Sequence, residues 1–291
     1  MASPSCLEQF PPAPPSLTHP VMKDGECRNW AELPSDLTSS ILRRLGSIDV
    51  LENAQKVCTS WRRVCKDPAL WRKIDMCNSG DLGEDLAYLT LTLGINLEIM
   101  CRHAVDLSRG GLVEIDIWHF ATDSLLNYIA DSSSNLRSLK LVKCSPVTSE
   151  ELTEALVKLP LLEELEVSYC SLSAESLKVV GQSCPNLKTL KLIRLWVIRF
   201  PSVNDNDDAL AISESMHGLS HLQLISNKLT DAGIEAILYN CPDLEHLDVR
   251  QCFSVGFSGD LRKRCFERVK VFRKPFDSAC DYPHQEAVYH L

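Results

Sequence analysis

The 291-residue chain has room for one large domain, or for a small domain joined to a larger one. Its net charge of −9 argues against nucleic acid as the main partner, because phosphate binding needs a basic footprint. No run reaches about 18 consecutive apolar residues, so neither a membrane-spanning helix nor a membrane partner is expected. Thirteen cysteines without a charged and apolar leader fit reduced thiols, which sets the expected location as cytoplasm or nucleus. No C-x-x-C pair occurs, so no structural zinc and no cofactor are expected.

Residues 1–28 hold six prolines and few aliphatics and read as a disordered Pro-rich tail. Pro11-Pro12-Ala13-Pro14-Pro15 also fits a PxxP ligand. Residues 29–76 change texture. Leu37, Ile41, Leu42 and Leu45 fall on one helical face, with Pro34 near the start and Gly46 past the end. Further helices are predicted over Asp49–Val57 and Thr59–Lys66, and Asp67-Pro68 breaks the pattern. So small a core favours a module that completes its packing on something else.

Residues 77–111 read as a linker or enlarged first repeat, with helical patterns at Leu86–Leu93 and Leu97–Leu107. From 112 to 274 the pattern L-x-x-L-x-L recurs from Leu112, Leu136, Leu162, Leu187, Leu219 and Leu244, then weakly from Phe266. The spacings are 24, 26, 25, 32, 25 and 22 residues. Trp71-x-x-Ile74-x-Met76 fits a capping strand ahead of them. Helical patterns separate the strands at Ser124–Ala130, Ser149–Leu159, Ala174–Cys184 and Asp231–Cys241. The expected fold class is therefore α/β: a three-helix module followed by a leucine-rich-repeat solenoid, strands concave and helices convex. Three residues after the third apolar position stand Cys144, Cys170, Asn227 or Cys252. These side chains can hydrogen-bond the turning backbone, which accounts for most of the cysteines without catalysis. Residues 275–291 form a C-terminal tail that could cap the last strand.

Leu33-Pro34-x-Asp36-Leu37, Ile41-Leu42-x-x-Leu45, Val57-Cys58-x-x-Trp61-Arg62 and Asp67-Pro68-x-Leu70-Trp71 together resemble the F-box. With the repeats behind it, the chain is similar to F-box/leucine-rich-repeat proteins, in particular the short plant Skp-interacting-partner type. Asp36 departs from the Glu common there but keeps the charge. The resemblance implies a non-catalytic receptor subunit of a Skp-cullin-F-box ubiquitin ligase. It would bind a Skp-type adaptor, and through it cullin and a RING protein, by Leu33, Pro34, Ile41, Leu42, Leu45, Val57, Cys58 and Trp61. Leu33, Pro34 and Trp61 fit an interface best, whereas Leu37, Leu45 and Val64 fit internal helix packing. The alternative is a leucine-rich-repeat scaffold acting outside a ubiquitin ligase.

Counting from each repeat's first leucine, positions four and six face the core, and three, five and seven face the concave side. Position five (Asp116, Lys140, Glu166, Lys191, Gln223, Asp248, Lys270) reads as a solvated charge ladder. Position seven is mostly apolar. Trp118, Val142, Ile193, Ile225, Arg250 and Phe272 there, with Trp196 from the insertion Trp196–Asp208, are the candidate target-binding residues, unless loops cover that column. His221 and His246 stack at position three and read as surface histidines rather than a metal pair. The target protein is unknown from sequence. No enzyme motif occurs, and Cys101 with His103 is the nearest thiol–histidine pair.

Overall fold

The computed structural model describes residues 30–77, 96–194 and 206–278. The small module opens with a 3₁₀ turn (Trp30–Glu32) and α1 (Ser35–Leu42). A second helical run, α2, comprises Ser47–Asp49, a π-helical Val50–Ala54 and Gln55–Val57. After α3 (Thr59–Val64) and a 3₁₀ segment (Pro68–Arg72), the chain enters β1 (Lys73–Met76). From there helix and strand alternate: α4 (Leu97–Ser108), β2 (Glu114–Trp118), α5 (Asp123–Ser132), β3 (Ser138–Val142), α6 (Ser149–Val157), β4 (Glu164–Ser168) and α7 (Ala174–Ser183). Then come β5 (Thr189–Ile193), α8 (Asp207–Ser215), β6 (His221–Ile225), α9 (Asp231–Asn240), β7 (His246–Asp248), α10 (Leu261–Arg268) and β8 (Val271–Arg273).

The eight strands form one sheet in chain order, every pair parallel and in register, with Ile74 beside Ile115 and Ile115 beside Leu139. Positions four and six of β1 to β7, from Ile74 and Met76 to Leu247 and Val249, are buried as the alternation requires. Several helices begin on a side-chain cap. Asn96, Thr122, Thr148 and Ser173 accept from Ile99, Leu125, Glu151 and Ser176 amides, satisfying donors that a helix N-terminus leaves orphaned.

Two local devices repeat along the sheet. At position eight the chain turns left-handed at His119, Lys143, Tyr169, Ser226 and Gln251, with φ between 54° and 71°. A non-glycine residue there costs on the order of 1 kcal/mol. The turn aims its amide at the next repeat: His119 donates to Val142 O at 2.9 Å and Lys143 to Ser168 O at 2.8 Å. Each of these five strands thus gains a further rung. The second device is the cysteine slot. Cys144 Sγ reaches Ile117 O, Cys170 Sγ reaches Leu141 O, and Cys252 Sγ reaches Leu224 O, each on the preceding repeat. Cys184 and Cys241 likewise satisfy carbonyls at the C-terminal ends of α6 and α8, at Leu156 and Met216.

The helical module has no separate core. Residues from Leu42 through Trp71 and on to Val269 form one buried cluster. Trp71 Nε1 donates to Cys65 O at 2.8 Å, and the Asp75 amide of β1 donates to Ser47 Oγ of α2 at 3.0 Å. The packing expected on a partner is met in part by the solenoid itself.

The last repeat differs from expectation. Leu247 pairs with Phe272, so Val269 is its first position and Phe272 its fourth. The 22-residue spacing becomes 25, like its neighbours. Phe266, taken from sequence as a strand residue, belongs to α10. The degenerate pattern misled because Phe266 and Val269 keep the i, i+3 spacing that a helix end also produces. The acidic end of the insertion differs too, since Asp207 and Asp208 form the first turn of α8, where the helix dipole favours them. Asp205 and the rest of 195–205 lie outside the described residues, as does the pattern at Leu86–Leu93.

Gly181 marks where α7 lies tightest on α8: a Cβ there would collide with Ser215 and Met216 side chains. Glycine to alanine within a helix ordinarily stabilises by about 1 kcal/mol. Here overpacking reverses the sign, so Gly181→Ala lowers the thermal midpoint in calorimetry; an increase would show that the helices have room to part.

Candidate functional site

Helix α1 packs differently from its apolar pattern. The inward residues are Thr38 and Leu42, four apart, and Thr38 satisfies its hydroxyl on Pro34 O at 3.1 Å. The helix is therefore rotated by one residue: Leu37, and Leu45 just past the helix end, are turned outward, while Ile41 stays half-buried against the core. Leu37 is 51% exposed and Val57, at the end of α2, is 54% exposed. Leu33, Ile41 and Cys58 are half-buried and Pro34 is exposed.

Two residues expected on this surface sit inside. Leu42 is buried, and Trp61 is only 8% exposed. Trp61 Nε1 donates to Trp30 O at 3.0 Å, and Trp30 is itself 55% exposed. Trp61 thus supports the surface from beneath while Trp30 presents it. Sequence reasoning missed Trp30, assigned Leu37 to internal packing, and counted Leu45 both among the docking residues and as internal packing. The available signal was Thr38, a small residue four before Leu42.

The concave side also departs from expectation. Val142, Ile193 and Ile225 of the position-seven column are buried and, with Tyr169, form a second small cluster on which Trp118 packs. The left-handed turn places Tyr169 in that cluster, so the column is closed rather than open to a target. Arg250 is buried as well. Its guanidinium grips Asp248 through three contacts of 2.7–3.0 Å and donates to Ser278 O at 2.9 Å. Phe272 points at the core and meets Phe257 and Phe266 edge-on. Trp196 lies outside the described residues. Of the candidates among the described residues, Trp118 and Phe272 keep partly accessible rings and the others are buried.

Position five is not a solvated ladder either. Glu166 and Asp248 are buried and Lys191 is half-buried, bridging Glu164 at 3.0 Å and Glu166 at 3.5 Å. Asp116 accepts Trp118 Nε1 at 2.7 Å. Burial, with Asp75 and Glu166 adding repulsion, pushes its carboxyl up to about 6 against the relief from Trp118 and Lys140. His221 and His246 stack at 4.1 Å and 17°. Among the described residues no three potential ligands gather as a metal site. Cys101 is buried, and burial pushes its thiol up to about 12, which removes it as a nucleophile. The insertion is rooted by Arg194, whose guanidinium holds Asp208 at 2.8 and 2.9 Å while Asn227 donates to the same carboxylate at 2.8 Å.

A three-helix module with exposed apolar residues is continuous with a solenoid of strand-helix repeats, the architecture of a leucine-rich-repeat protein with a small helical module at its start. Residues 30–77 match the F-box-like family. F-box protein SKIP19 of Arabidopsis thaliana is 62% identical over 261 residues, spanning 90% of this chain and 82% of that protein. Putative F-box/LRR-repeat protein 23 of the same plant is 57% identical over 278 residues, spanning 96% of this chain and 59% of its own length. Among solved structures, a chain of the yeast Rad7 and Elc1 complex overlaps 81% of this chain and 86% of its own at 14% identity, with a TM-score of 0.42. The chain belongs to the F-box/leucine-rich-repeat family.

Two substitutions test the concave face. The raised Asp116 pKa means that the folded chain loses stability as pH rises from 3.8 towards about 6. Asp116→Asn therefore raises the melting temperature at pH 7.5 and leaves it nearly unchanged at pH 3.5. Arg250→Met leaves Asp248 buried and unpaired and costs about 3–5 kcal/mol in urea unfolding. A neutral result would return Arg250 to the surface as a contact residue.

Proposed function

We propose that the chain is the substrate-recognition subunit of a Skp-cullin-F-box ubiquitin ligase. The observation that carries this is the exposed apolar surface of the small helical module. Leu37 and Leu45, together with Trp30, Pro34 and Val57 of the same module, leave apolar surface exposed, and Ile41 is only half-buried. A Skp-type adaptor would cover that surface and link the chain to cullin and a RING protein. The family membership and the relatives' names support the same assignment.

The target would lie on the accessible positions three and five of the concave face around Trp118. The shared core would hold that face at a fixed angle to the adaptor. The chain contributes binding and no chemistry of its own. Its work would lie in the cytoplasm or nucleus, as the sequence leads one to expect.

Leu37→Asp and Val57→Asp each weaken adaptor binding by about 2 kcal/mol or more in calorimetric titration, with folding unchanged by circular dichroism. Trp61→Phe, a change inside the module, affects stability more than affinity. Retention of adaptor binding by both Asp variants would favour a repeat scaffold working outside a ligase.

A further inference from the structure

The C-terminal end of the solenoid is charged unlike the rest of the chain. From Leu261 to Lys274, α10 and β8 carry seven Lys or Arg against one Glu, within a chain of net charge −9. Lys263, Arg264, Lys270 and Lys274 make ion pairs with Glu267, Glu235, Glu245 and Asp277. Those pairs lie at or near the surface and hold their cations only weakly. Arg262 lies 6.0 Å from the centre of the Phe266 ring, and Arg268 makes no ion pair among the described residues.

The same end exposes an open strand edge, since β8 is the last strand of the sheet. The Val271 amide donates to Glu245 O, and Arg273 O accepts from the Val249 amide, both at 3.0 Å. Residues 271 and 273 therefore turn their backbone towards β7. Alternation turns the Phe272 amide and carbonyl outward, where they meet no hydrogen-bond partner among the described residues. A turn closes the edge beyond, with the Lys274 amide donating to Asp277 at 2.9 Å. Val271 and Phe276 add exposed apolar surface nearby, Phe276 at 80%.

Short edges rich in lysine guard a sheet against pairing with itself, because a second copy brings the same charge. That guard has a sign. It repels a basic strand and attracts an acidic one. We propose that the β8 edge takes up an extended acidic segment of a partner protein as a ninth strand, bonded to the Phe272 backbone and drawn by the basic stretch 261–274. This site is at the opposite end of the sheet from the F-box and does not depend on the adaptor.

The test uses the full chain and a fluorescent peptide of alternating Glu and Val, read by anisotropy at two salt concentrations. A second peptide is N-methylated at alternate amides, so it keeps its charge but cannot pair as a strand. The expected result is saturable binding of the first peptide, weakened more than about tenfold by N-methylation, as loss of two backbone hydrogen bonds implies. Lys270→Glu with Arg273→Glu should weaken it similarly; because the N-methyl comparison uses the unaltered chain, a folding defect in that variant leaves the test intact. Equal binding of both peptides would overturn the strand-pairing proposal. Tighter binding of duplex DNA or of anionic phosphatidylserine vesicles than of the peptide would overturn the acidic-protein assignment. Binding that appears only after residues 279–291 are removed would make the chain's own C-terminus the occupant and overturn the assignment to a partner.

Discussion

The parallel ladder that runs unbroken from β1 to β8 is the constraint on which everything else depends. Parallel strands need a crossover between them, so each repeat must supply a helix. A strand and its helix cannot bury their apolar faces alone, so each repeat needs its neighbours. Because β1 belongs to the chain leaving the F-box helices, the ladder also fixes the F-box to the repeats. Trp71 and Ile74 lie in the same core as Leu139 and Leu222. The angle between the two halves is set by side-chain packing and register, not by a linker.

Such a coupling would suit the proposed role of presenting one partner to another. A flexible joint would spread the target over many positions, whereas a shared core limits it to one. Small devices repeated along the molecule keep that geometry. The left-handed turn at position eight lengthens the pairing of five strands, and the thiols close carbonyls of the previous repeat. Several polar groups inside the solenoid are satisfied by such links between repeats, which suits a stack in which each unit is the other's core.

Much of the fold was legible because it depends on period. Six leucine-patterned strands fell where their spacing put them, as did the four helices expected between them, whereas α8 stands where only an insertion was expected. Register at the last repeat was not legible, since Phe266 and Val269 satisfy helix and strand spacing equally. The sites were harder to read. Hydrophobicity alone placed Leu37 inward, but burial of Thr38 rotated α1 and turned Leu37 outward. Strand alternation placed Val142, Ile193 and Ile225 on the concave side, yet alternation says nothing about what folds over that side. Tyr169 enters that column through a backbone conformation that no sequence pattern signalled. The Arg250–Asp248 pair was hidden for a similar reason, since residues two apart on a strand share a face but need not touch.

The clamp between Arg194 and Asp208 has a consequence for how this chain can change over generations. It fastens together the two roots of the longest interval between strands from β2 onward, so β5 and β6 keep their register. Closure entropy rises only with the logarithm of loop length. That one stretch can therefore gain or lose residues at small thermodynamic cost, while the same change elsewhere would shift a strand against its neighbour. The clamp makes this interval the place where new recognition can be tried without risking the scaffold.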